Sequence, residues 1–109
     1  MIIVTTDFIP GYEIKELKGF VRGSTVQSKN IGRDIMAGLK NLVGGEITDY
    51  TNMMDQARQQ AIGRMIEHGE SKGADAVIAV RLETSSISSS ASEIMAYGTA
   101  VTLNPSPRN

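Results

Sequence analysis

The strand-like segments of this chain are paved with very small side chains, and that limits what can pack on them. Ala76 and Ala79 lie in one apolar run, Ala96, Gly98 and Ala100 in another, and Gly19 and Gly23 interrupt a third. Only 5% of the 109 residues are aromatic and none is Trp. A sheet face without bulky side chains admits another backbone or a helix at close range. That partner is either the chain's own helix or a neighbouring subunit. A domain of this length gains useful burial from association, so a homo-oligomer is the expectation.

Residues 2–5 are β-branched and short, and read as a first strand. Phe8-Ile9-Pro10-Gly11 then turns the chain, because Pro pre-sets φ and Gly tolerates positive φ. Residues 12–27 are extended, with the glycines marking a bulge, a bend or a close backbone neighbour. They form either one long bent strand or a hairpin broken near Leu17-Lys18-Gly19. From Asn30, the apolar stripe Ile31, Ile35, Leu39 and Leu42 predicts a helix, capped by Ser28 or Asn30 and stopped by Gly44-Gly45. A second, longer helix is predicted to start near Thr51. Its buried stripe is Met54, Ala57, Ala61 and Met65, and Gly73 lies just past its end.

Residues 74–87 read as a strand, with Val77, Ile78 and Val80 nearly continuous, as where both faces are covered. The Ser-rich stretch 84–92 is predicted as a loop or hairpin connection, and residues 93–103 alternate and close the sheet. The element order predicts an α+β fold, two layers deep, with a largely antiparallel sheet packed against two helices. The expected division is one domain over residues 1–103 and a flexible tail over 104–109, which holds two prolines in six residues.

Composition excludes several functions. Lys+Arg total 11 and Asp+Glu 12, a net charge of -1, so nothing in the bulk charge points to nucleic acid or an anionic membrane. The start of the chain is apolar for three residues after Met1 and lacks a basic region, so it reads as a strand rather than a signal peptide. No apolar run approaches the roughly 18 residues that span a bilayer. With no cysteine in the sequence, this fits a cytoplasmic protein. The lack of cysteine also removes thiolate nucleophiles and Cys-based metal sites. The single histidine, His68, has Arg64 and Lys72 one turn away on either side, so no second ligand sits at helical spacing. No nucleophile–base set can be assigned, no cofactor is implied, and the metal-ligand set is empty.

The motifs lie in a fixed order: Thr5-Thr6, Gly11-Tyr12, Gly44-Gly45-Glu46 followed by Tyr50, Ala57-Arg58 with Ala61, the run Gly73-Ala74-Asp75-Ala76-Val77, Arg81, and Tyr97-Gly98-Thr99-Ala100-Val101. In this order and spacing the chain resembles the YbjQ-like family of small bacterial proteins, a family labelled for heavy-metal binding. The resemblance runs from Ile3 to Leu103. It implies a two-layer βα subunit assembled into a ring-like homo-oligomer, most simply a pentamer, and it supplies no catalytic residue.

Six residues stand out as ligand-binding or interface candidates: Gly44, Gly45, Glu46, Tyr50, Arg58 and Arg81. Gly44-Gly45 offers successive backbone N–H groups as an anion nest beside Glu46, or else is a helix C-cap leading into a turn, with Tyr50 a packing residue. No Gly-Lys-Ser/Thr follows, so it is not a P-loop. Arg58 and Arg81 either take a carboxylate or phosphate bidentately or pair with carboxylates such as Glu46, Asp55 and Glu83 at a subunit boundary. Three functions are compatible with these features. The chain is a binding or scaffold module whose small-molecule or ion ligand is unknown, a metal-binding protein, or an enzyme with an intersubunit site built from Glu46, Tyr50 and Arg58.

Overall fold

The structure, a computed structural model, describes residues 1–28, 46–89 and 91–106. Among these the elements are β1 (Ile2–Ile3), β2 (Tyr12–Ser28), α1 (Glu46–Ser71), β3 (Ala76–Ser88) and β4 (Ala91–Pro105). They build one four-stranded sheet in the order β1-β3-β4-β2, packed against α1. β1 runs parallel to β3, while β3–β4 and β4–β2 are antiparallel, so the sheet is mixed. The first of the two expected helices falls on residues outside those described.

Three boundaries differ from the sequence reading. α1 is already helical at Glu46, the first residue described after Ser28 and five residues ahead of Thr51. The Ser-rich stretch does hold the β3–β4 hairpin connection, but most of it is strand rather than loop. β3 continues through Ser88 and β4 resumes at Ala91, since pairing such as Thr84 with Ile94 and Ser86 with Ser92 outweighs the turn-forming bias of serine. The strand also reaches Pro105, past the expected end at 103: Asn104 and Pro105 pair with Glu13 and Tyr12, and the Ser106 N–H bonds to the Gly11 carbonyl at 2.9 Å.

Residues 12–28 form one strand, not a hairpin. The register with β4 slips between Ile14 and Glu16 and again between Leu17 and Gly19. These two bulges bend the strand as its glycine spacing predicted. Gly19 takes φ +104°, which a β-carbon would oppose.

The helix docks where the sheet has no side chain. Ala57, Ala61 and Met65 turn one stripe of α1 onto Val21, Gly23, Ile94, Ala96 and Ala100, and all are buried. A β-carbon added at Gly23 would fall on the backbone N of Met65 and the carbonyl O of Ala61. Gly23 therefore sets how near α1 lies. A second, smaller core lies on the opposite face, where Ile9 and Val4 of the N-terminal segment cover Ala76, Ile78 and Val101.

The helix covers β2 and β4 but little of β3. Every residue from 81 to 88 is exposed, so the far half of β3 forms a bare strand at the side of the sheet, while its partner β4 stays paired with β2. The chain measures 59 × 29 × 18 Å, with a radius of gyration of 17.8 Å. A compact chain of this length would have about 13 Å.

Gly23→Ala is expected to destabilise the fold by about 1–3 kcal/mol, since neither the helix backbone nor the strand can yield without losing packing. Gly63→Ala is the control. It lies in α1 with nothing within 4 Å of an added β-carbon. It should stabilise by up to about 1 kcal/mol through helix propensity alone. Urea unfolding followed by circular dichroism measures both.

Candidate functional site

Because Val21, Gly23 and Thr25 face α1, the alternate residues of β2 face away from it. Their cross-strand partners share that side, giving the rows Phe20–Thr99–Ile78, Arg22–Tyr97–Arg81 and Ser24–Met95–Glu83. The exposed ring of Phe20 packs against Tyr97, with centroids 6.1 Å apart and planes at 39°. The Tyr97 hydroxyl donates to Glu83 Oε1 at 3.0 Å. That bond, with some burial and the Glu83 charge, raises the Tyr97 pKa above 10, against a lowering pull from Arg81.

Arg81 is aimed by a bulge. The register between β3 and β4 slips between Ile78 and Arg81, and Ala79 sits at φ +54°, a left-handed conformation that costs a non-glycine residue about 1–2 kcal/mol. The extra residue turns two successive amides outward. The Ala79 N–H bonds to the Thr6 carbonyl at 2.8 Å and the Val80 N–H to the Val4 carbonyl at 3.0 Å. Arg81 Nη1 then donates to the carbonyl of Thr5 at 2.8 Å and to that of Val80 at 2.9 Å. A shallow groove lined by Thr5, Val80, Arg81 and Leu82 opens where the N-terminal segment leaves β3.

On the other side of β2, α1 reaches over the sheet edge. The backbone N–H of Arg22 donates to His68 Nδ1 at 3.1 Å, and Arg64 Nη1 donates to the carbonyl of Ser24. Thr25 Oγ1 donates to the Ala57 carbonyl at 3.2 Å.

The described residues singled out from sequence fall on two elements, α1 and β3. Gly44 and Gly45 lie outside the described residues. Glu46 and Tyr50 both belong to α1, so Tyr50 is part of the helix and not of a turn preceding it. Arg58 is exposed on α1, whereas Arg81 lies on the far face of the sheet. The layer between them rules out a joint anion clamp within one chain. Arg81 spends one nitrogen on backbone carbonyls, and its expected partner Glu83 is taken by Tyr97. Sequence reasoning missed the Phe20–Tyr97 pair, the Tyr97–Glu83 bond and the edge contacts of His68 and Arg64. All depend on cross-strand register or helix placement, which spacing along the chain does not carry.

The donor set does not fit a soft-metal centre. The sequence has no cysteine, the Nδ1 of its single histidine holds a sheet amide, and no group of three or more His, Asp or Glu able to hold a metal occurs among the described residues. No described helix is long and apolar enough to cross a membrane.

Glu83→Gln is expected to bring the Tyr97 pKa down toward that of an ordinary phenol, because the charge opposing ionisation is gone. Absorbance at 295 nm during a pH titration reads it. The wild type should keep one late-ionising tyrosine that the variant loses. With a raised folded-state value, the bond's contribution to stability is present below pH 10 and is lost as pH rises through the Tyr97 pKa.

Residues 1–104 match the model of a family described as "putative heavy-metal-binding". A UPF0145 protein of Halalkalibacterium halodurans is 63% identical over 101 residues, covering 93% of this chain and 95% of the relative. Another, of Vibrio parahaemolyticus, is 60% identical over 103 residues, covering 94% and 98%. Methanosarcina acetivorans has one that is 54% identical over 103 residues, covering 94% and 97%. The crystal structure of a Pediococcus pentosaceus protein of unknown function, assigned to the DUF74 family, superposes with a TM-score of 0.62 at 20% identity. It covers 95% of this chain and 98% of that one, and shares the fold. Matched over nearly its whole length by the family model and by close relatives, the chain belongs to the YbjQ-like UPF0145 family.

Proposed function

We propose that this chain is the subunit of a cytoplasmic homo-oligomeric binding or scaffold protein, a ring most simply of five copies, whose clefts between subunits hold its ligand. The observation that carries this reading is the apolar surface exposed among the described residues. Leu17, Phe20, Val26 and Ile87 are 71%, 57%, 61% and 56% exposed, and all but the last lie on β2. Single exposed apolar residues are ordinary, but a strand that carries three of them, on a sheet whose far edge along β3 is also exposed, marks an interaction surface. A second subunit that covers it and the face around Phe20 gains about 25 cal/mol for each Å² of apolar surface removed from water.

The family's metal description takes a particular form under this reading. A cation would be held by carboxylates that several copies bring together, and it would be a hard one, since thiolate is absent from every copy.

Native mass spectrometry of the untagged protein, purified without chelators, is expected to give the mass of five chains. A reproducible excess mass would report the bound ligand or cation. Phe20→Glu, which places a charge on the bare face, is expected to shift the population toward smaller species. A mass of one chain across a wide concentration range would overturn the reading.

A further inference from the structure

The two long edges of the sheet are treated differently. β2 forms one edge over its whole length. β3 forms the other beyond the N-terminal segment, which covers it only as far as Val80. An uncovered edge presents a row of N–H and C=O groups that any other strand can pair with. On β2 one outward group of Arg22 and one of Ser24 are already engaged. His68 Nδ1 accepts the N–H of Arg22, and Arg64 donates to the carbonyl of Ser24.

The spacing makes the two caps act together. Arg64 and His68 are four residues apart in α1, about 6 Å of rise, and Arg22 and Ser24 are two apart in β2, about 6.6 Å. Successive outward positions of the strand thus meet successive turns of the helix. This works only because Gly23, between them, lets the helix backbone come so near. The two bulges earlier in β2 further break its edge as a template.

Among the described residues the β3 edge has no such treatment. The Arg22 amide points away from β4, so Arg22 and Tyr97 form a non-hydrogen-bonded pair, and Tyr97 turns its own N–H and C=O toward Arg81. The alternation then leaves the backbone groups of Leu82, Thr84 and Ser86 pointing outward. No register slip interrupts β3 between Arg81 and Ser86.

We infer that His68 and Arg64 are edge guards that keep the β2 edge closed to the open β3 edge of a second copy of this chain. The two edges lie on opposite sides of one sheet. A β2-to-β3 contact is therefore head-to-tail, and unless its rotation happens to close, it adds copies without limit. With β2 capped, copies meet through the sheet face and the assembly stays closed. The inference rests on the oligomeric reading only for what the closed state is. The guard acts equally if that state is a single chain.

The test compares the mass distribution of four proteins by sedimentation velocity, with thioflavin fluorescence for ordered sheet growth. The variant Arg64→Ala/His68→Leu removes both caps and is expected to form species far larger than the wild-type mass, with a rise in thioflavin signal. Adding Thr84→Pro removes an outward amide of β3 and should return the mass to that of wild type. His68→Asn, which places a carbonyl oxygen near the position of Nδ1, should remain at the wild-type mass. Uncapped protein with native circular dichroism at the wild-type mass would overturn the inference. So would growth that Thr84→Pro leaves unchanged, because that growth would be misfolding or pairing elsewhere. A wild-type mass of one chain would defeat the ring reading and leave this comparison intact.

Discussion

The approach of the helix backbone to Gly23 is the contact on which the rest of this structure depends. It brings Ala57, Ala61 and Met65 onto the small residues of β2 and β4 and so forms the main core. It also fixes the reach of Arg64 and His68, whose side chains extend past the strand to its outer edge. A larger residue at position 23 would lift the helix, loosening the core and opening the edge together. Stability and control of assembly are thus coupled through one missing β-carbon.

What the one helix among the described residues does not do is cover a sheet this wide and this long. It lies along β2 and β4, leaving the outer half of β3 bare on its edge, and the face around Phe20 and Tyr97 open. The N-terminal segment covers only one end of that second face, through Ile9 and Val4. Where this segment stops, the bulge at Ala79 redirects the backbone and ties Arg81 to Thr5. The face that neither cover reaches carries an aromatic pair, a tyrosine–carboxylate bond and an arginine held in place by backbone carbonyls.

Much of this was legible in the sequence. The stripe Met54, Ala57, Ala61, Met65 identified the helix and its buried side, because helical period and small-residue spacing are local properties. Glycines at 19 and 23 announced a bulge and a close backbone neighbour, and both are present. The serines of 84–92 misled because strand pairing is a property of two segments, and composition registers only one. The candidate site was less legible. Arg81 was singled out, but its bonds to Thr5 and Val80 depend on a bulge that no residue type announces, alanine being an uncommon occupant of positive φ. His68 was weighed as a metal ligand or base. Its role as the acceptor for a strand amide 46 residues away follows from docking geometry alone.

Residue-resolved amide hydrogen exchange on the wild-type protein tests the central claim most directly, since it distinguishes a capped edge from an open one. The account predicts that the Arg22 amide is protected like those inside the sheet, while the amides of Leu82, Thr84 and Ser86 exchange quickly. An Arg22 amide that exchanges as fast as that of Thr84 would contradict it.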